Sequence, residues 1–192
     1  MLAELGNNYF EFRKVTTRDF RPGFFLGAWV KNPAGRMVHM IKTATGSIFH
    51  ANVDALVNPV NCVGVMGAGL ALAFKQNFPK MFGWYQLKCA EGEVKIGEVM
   101  FYHTDGPIIV NFPTKHHWKD PSRIEYIETG LKDLRRAITT SHTSDFHIPI
   151  TSIAIPALGC GLGGLEWNEV KPLIVDSLAD LGIRVELFEP QP

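Results

Sequence analysis

Residues Ser152–Trp167, SIAIPALGCGLGGLEW, join an apolar, β-branched run to a glycine-rich loop and then to a helical pattern. Ser152–Pro156 has the length and composition of a buried strand. The loop that follows places four glycines in the six residues Gly159–Gly164. A mere flexible connection does not need so many, because each glycine loses entropy when it is ordered. Glycines let the backbone approach an anion, and free N–H groups at a helix start can receive phosphate, so the loop reads as a phosphate or diphosphate site. Its helix runs from about Glu166 to Leu181, Gly182 closes it, and Ile183–Phe188 supplies a last strand.

The same alternation extends back through the chain. The pattern predicts a strand over Met37–Ala44, a turn at Thr45-Gly46-Ser47, and a short strand over Ala55–Pro59. Gly69–Phe78 and Lys80–Ala90 have helical spacing on either side of Pro79. Glu98–His103 and Pro107–Phe112 read as a hairpin around Thr104-Asp105-Gly106. Ser122 is placed to cap a helix reaching about Thr140, in which Ile124, Ile127, Leu131, Leu134 and Ile138 form one apolar stripe. A hairpin combined with strand-helix-strand crossovers predicts an α/β fold, a three-layer α/β/α domain around a mixed sheet. Residues 1–36 show no sustained period, and an edge hairpin, a loose tail and sequence upstream of the true start remain open for them.

Composition narrows the function. The chain has 192 residues, 46% hydrophobic, which fits one domain with a sizeable core. Its formal net charge is zero, so no whole-protein positive field gathers nucleic acid, and any such contact must be local. Cys62, Cys89 and Cys160 are widely spaced and odd in number, indicating neither a disulfide framework nor a zinc site. A reducing cytoplasm fits this best. The longest early apolar run, Gly23–Val30, is too short for a membrane span. No metal is expected at His116-His117, whose side chains diverge in an extended segment. Cys160 has no evident base beside it and reads as a packing residue.

A second glycine-bearing stretch, Val57–Ala71, carries Asn61, Gly64, Gly67 and Gly69 between a strand and a helix, without a GxGxxG or Walker pattern. Two such loops at strand ends suggest a cleft for a diphosphate with sugars to either side. A further strand, PIIVNF, ends at Phe112 and the chain then turns polar at Thr114-Lys115. The lysine is either a solvated loop residue or an amine held at the strand end, where α/β folds often keep their chemistry.

Together, NPVNCVGVMGAGLALAFK, NFPTKHHW and PALGCGLGGLEW resemble the macrodomain family, and within it the DarG branch of DNA ADP-ribosyl glycohydrolases, over about residues 37–192. The resemblance implies a three-layer fold with about six strands and a cleft for ADP-ribose. It places Asn61, Gly67, Ala68 and Gly69 near the distal ribose, with Val65, Met66 and Leu70 of the same loop also among the substrate-binding residues. Gly159, Cys160, Gly161, Leu162 and Gly163 fall around the phosphates, so that bulk at Gly163 would obstruct them. Ser47 and Ile48 fall at the adenine end, where Ser47 stands in place of the aspartate of many family members. Lys115, beside Thr114, takes the catalytic position, with Asn61 orienting the ribose or a water.

The implied reaction removes ADP-ribose from thymidine in single-stranded DNA and counteracts a DarT-like toxin, as an antitoxin and a form of DNA repair. No cofactor is implied, and the protein is expected to be a monomer without a membrane. Lys115 could attack the distal C1″ carbon as a neutral amine, its pKa lowered by burial and by Lys119 or protonated His116, or stabilise the departing thymine as a cation. A non-catalytic ADP-ribose reader and a hydrolase of protein or small-molecule ADP-ribose esters remain as alternatives. Trp118 either packs its loop or stacks a base, and Lys119 and Arg123 could steer a strand's phosphates.

Overall fold

Strand β4, Ala55–Asn61, divides its side chains between two cores. Ala55 and Val57 belong to one buried cluster, and Leu56 and Val60 to another on the opposite face. This alternation is what a central strand covered on both faces requires. The computed structural model describes residues 29–31, 37–39, 41–141 and 149–190.

β3 (Ile41–Ala44), β5 (Met100–Tyr102), β6 (Ile108–Lys115), β7 (Ser152–Pro156) and β8 (Arg184–Phe188) join β4 in a six-stranded sheet ordered β3-β8-β7-β4-β6-β5. All neighbours are parallel except β5, which runs antiparallel to β6 at one edge. Helices α1 (Gly69–Asn77) and α2 (Pro79–Ala90) cover one face. The stripe of α3 (Ile124–Ser141), with Ile127, Leu131, Leu134 and Ile138, packs beside α4 (Trp167–Leu178) on the other. The three-layer α/β/α expectation and the mixed six-stranded sheet are met.

Several boundaries differ from the sequence pattern. The strand expected over Met37–Ala44 is divided, because β2 (Met37–His39) pairs antiparallel with β1 (Trp29–Lys31) in a separate two-stranded sheet. The rest of the segment 1–36 lies outside the described residues, and with it the choice among its readings. Pro79 begins α2 instead of merely separating two helices, since its missing N–H is harmless in a first turn. The hairpin before β6 has a five-residue connection. There Thr104 Oγ1 accepts from Gly106 N at 2.9 Å and donates to Pro107 O at 2.7 Å, so a threonine-centred turn lies within a connection longer than the expected Thr104-Asp105-Gly106. α4 stops at Leu178, short of the expected Leu181.

Two features of β6 fix the layers around the site. Phe112 lies against Gly130 of α3, where an added Cβ would come 2.3 Å from the ring, so the mid-helix glycine permits a close strand–helix approach. Asn111 is fully buried and accepts at Oδ1 from Asn58 Nδ2 of β4 at 2.9 Å. These two asparagines are also Cα partners in the sheet. Among the described residues, no helix is long and apolar enough to cross a membrane.

Candidate active site

The carboxyl ends of β4, β6, β7 and β8 and the turn after β3 surround one cleft of about 1200 Å³. In open α/β sheets this is the end at which loops diverge and leave a crevice. Asn61, Thr114, Lys115, Pro156 and Phe188 mark the four strand ends at its floor.

β6 runs three residues beyond the expected Phe112, to Lys115, all of them buried. A register shift after Val60 pairs Val60 with Pro113 and Asn61 with Lys115. Thr114 is therefore bulged, and the two residues to which the resemblance gives catalytic roles stand side by side. Bulges of this kind re-aim side chains at strand ends.

Lys115 is 9% exposed, and its Nζ donates to Leu162 O of the second glycine loop at 2.9 Å. Burial pushes this amine below its ordinary value, and Asp120 opposes the shift. The direction expected for a nucleophilic lysine is present, but its cause is desolvation. Lys119 and His116 were expected to contribute positive charge, whereas the charged neighbour that acts on Lys115 is the acidic Asp120, which favours the cation.

Asn61 is tied into its own loop. Its Oδ1 accepts from Val63 N at 3.0 Å, Val65 N at 3.2 Å and Tyr85 OH at 3.2 Å, while Nδ2 donates to Val65 O at 2.6 Å. The single Tyr85 hydroxyl proton is directed mainly to the Asn61 carbonyl at 2.6 Å and shared with the longer Oδ1 contact. The side chain thus shapes the first glycine loop, with Oδ1 and one Nδ2 proton both committed to it. Val65, Gly67, Ala68, Gly69 and Leu70 line the cleft, but the Met66 side chain does not. Met66 is 1% exposed within the α1–α2 core, which the apolar composition of the loop did not reveal.

The second loop is a short 3-10 turn, Gly161–Gly163, seated on Ser122. Ser122 N donates to Gly163 O at 2.8 Å, and a Cβ on Gly163 would come 2.5 Å from Ser122 Oγ. A side chain at Gly163 would therefore require Ser122 beneath the loop to shift, whatever the cleft holds. Ser122 is not the helix cap that the sequence suggested, because α3 begins at Ile124 and Ser122 Oγ has no hydrogen-bond partner. Gly159, Gly161 and Gly164 have φ of +71°, +61° and +81°, the left-handed region that glycine adopts without strain. The N–H groups of Gly161 and Leu162 find no acceptor among the described residues.

The helix dipole enters from a different place than expected. α4 begins only at Trp167, behind Glu166 and with Glu169 in its first turn. α1, in contrast, starts in the cleft at Gly69, with no side-chain cap and no acidic residue in its first turn. An anion between the two loops would face free N–H groups of α1. Leu162, 77% exposed, reaches across to this helix start, where a Cβ on Gly69 would lie 3.7 Å from Leu162 Cδ1.

At the far end, Ser47 and Ile48 line the cleft with Phe49, Phe188, Glu189 and Pro190. The Ser47 hydroxyl makes no capping bond in the 3-10 turn Ile48–His50. Glu189 Oε1 accepts from Lys171 Nζ at 2.8 Å and from Trp167 Nε1 at 3.4 Å. Phe188 and Glu189 were missed from sequence, although the end of a last parallel strand was the available signal. Cys160 lines the cleft, but burial pushes its thiol up to about 11, assisted by Glu166, so it is a poor thiolate source.

Comparison with known proteins agrees with this geometry. The Macro domain family matches residues 57–174. A curated "DNA ADP-ribosyl glycohydrolase" of Mycobacterium tuberculosis is 46% identical over 146 residues, 74% of this chain and 40% of the relative. The chain therefore spans about two fifths of that relative's length. The solved macrodomain of Mycobacterium tuberculosis DarG superposes with a TM-score of 0.72 at 43% identity, covering 80% of this chain and 99% of that one. Thermosipho africanus DarTG in complex with ADP-ribose gives 0.70 at 35% identity, covering 77% of this chain and 41% of that one. With its mixed sheet, its cleft at the strand ends and a family match across most of the fold, this chain belongs to the macrodomain family.

Proposed function

We propose that the chain is a DNA ADP-ribosyl glycohydrolase that releases ADP-ribose from thymidine in single-stranded DNA. The observation that carries this reading is a buried lysine, Lys115, beside Asn61 and between two glycine loops, with its amine pushed toward the neutral form. The names of the similar Mycobacterium tuberculosis proteins and the ADP-ribose in the Thermosipho africanus complex support it.

The diphosphate lies between Gly159–Gly163 and the start of α1, adenine lies toward Ser47 and Ile48, and the distal ribose reaches Gly67–Gly69, Asn61 and Lys115. Lys115 Nζ attacks C1″, and the C1″–N bond breaks with its electrons passing to thymine, whose carbonyls spread the charge. Solvent protonates the thymine. Water then displaces the lysine from C1″, releasing ADP-ribose and restoring the amine. Leu162 O, which holds Nζ at 2.9 Å, orients the amine before substrate arrives. The enzyme that installs the modification is a DarT-like toxin, and this chain acts as its antitoxin.

The test is incubation of a thymidine-ADP-ribosylated single-stranded oligonucleotide with the protein and with Lys115→Ala. We expect release by the wild type and a loss of at least ~100-fold in the variant, comparable with removing a group that acts directly at the transition state. Equal release by both removes Lys115 from the chemistry. Tight ADP-ribose binding without release by either leaves a reader module.

A further inference from the structure

Beside the cleft, the segment after Lys115 builds a second recess. Trp118 and Lys119 line the cleft itself, whereas His116, Asp120, Pro121, Arg123 and Tyr126 enclose an additional space of about 310 Å³. One run of chain thus leads from the buried amine to a separate surface hollow.

The groups on this run are aromatic and cationic by turns. Trp118 is 50% exposed, with the His117 ring 5.3 Å away at 31° and Lys119 Nζ 4.9 Å from the indole centroid. His116 packs edge-on against Tyr126 at 5.3 Å, and the Arg123 guanidinium lies 5.7 Å from that ring. Neither Lys119 nor Arg123 makes an ion pair among the described residues. The single acid of the recess, Asp120, turns Oδ2 to His117 N at 3.2 Å.

A base attached to C1″ must leave the cleft where Lys115 and Trp118 stand, and its neighbour in the strand must pass over the same segment. Exposed aromatic faces hold unstacked bases without regard to sequence, and unpaired cations hold the phosphates between them. The charge of the whole chain is zero, so such a local track is the means by which a strand could be held. We propose, on the basis of the glycohydrolase reading, that Trp118 stacks the base next to the modified thymine and that the recess of His116, Arg123 and Tyr126 receives that nucleotide's phosphate.

The experiment compares ADP-ribosyl-thymidine nucleoside with the same modification inside a single-stranded oligonucleotide, in kinetics and in equilibrium binding, for the wild type, Trp118→Ala and Arg123→Gln. Arg123→Gln should raise the oligonucleotide KM several-fold, lower the slope of log affinity against log salt by about one, and leave the nucleoside unchanged. Trp118→Ala should raise the oligonucleotide KM by about tenfold, more than the nucleoside KM. Equal effects on both substrates, an unchanged salt slope, or equally tight binding of an ADP-ribosylated peptide would each overturn the proposal. Failure of the glycohydrolase reading is separate: the wild type would then release ADP-ribose from neither substrate. The binding series would still report whether the strand adds affinity.

Discussion

At the scale of the residue, the role proposed for Lys115 makes the reaction depend on pH. Desolvation moves its amine below the ordinary 10.5, against the pull of Asp120. If the neutral amine attacks, the rate should rise tenfold per pH unit and level off as pH passes the lowered pKa, before 10.5 is reached. If the cation instead stabilises departing thymine, the rate should be flat at low pH and fall through that same point. A pH–rate profile between about pH 6 and 10 on the modified oligonucleotide separates the two, and Asp120→Asn should move the transition lower by removing the charge that favours the cation. The bulge at Thr114 matters here, because in an unbroken register Thr114 would stand beside Asn61 and the lysine would lie one residue further on. Substituting Gly163 does not test phosphate binding cleanly, since its Cβ would strike Ser122 first. Gly161, with open space around its would-be Cβ, perturbs the loop only through its positive φ.

Among the elements, the pairing of β4 with β6 sets Asn61 beside Lys115, and a polar contact in the core helps to fix it. Asn58 and Asn111 are fully buried partners, with Met66 and Met81 sulfurs beside their amides and Asn58 Oδ1 left without a partner. A one-residue slip would separate the amides and leave both unpaired in an apolar layer. Asn58→Leu alone should therefore cost about 1–3 kcal/mol, because it strands Asn111. The double substitution Asn58→Leu, Asn111→Leu should recover much of that loss, since an apolar pair leaves no buried amide unmet. Denaturant unfolding of the two single variants and the double variant gives the coupling energy. A double variant as unstable as the sum of the singles would show that volume, not hydrogen bonding, governs the position.

Across the whole molecule, legibility follows the range of the interactions involved. β7, its glycine loop and the stripe of α3 are evident because their determinants are local: β-branched content, glycine density and a period near 3.6. The Met66 side chain in the core and Ser122 beneath Gly163 depend on contacts between distant segments that no local pattern encodes, whereas Phe188 and Glu189 stand at a strand end that the sequence did mark. Family resemblance brings Lys115 and the loops together and burial is an expected cause of its lowered pKa, but the bulge that seats Lys115 and the opposing Asp120 appear only in three dimensions. The cleft unites five segments, from the turn after β3 to the end of β8, so a ligand that spans it binds the folded state and lacks a counterpart in the unfolded chain. Free ADP-ribose at a hundred times its Kd should add about 2.7 kcal/mol to unfolding. For a domain of this size that corresponds to a Tm rise of about 5–10 °C by thermal unfolding. Lys115→Ala should keep most of this rise if, as proposed, the phosphates and adenine are held by the loops and the far end of the cleft, while the variant loses hydrolysis. Loss of the thermal shift in that variant would make Lys115 a binding residue whose absence empties the cleft, and the kinetic defect would then report affinity in place of chemistry.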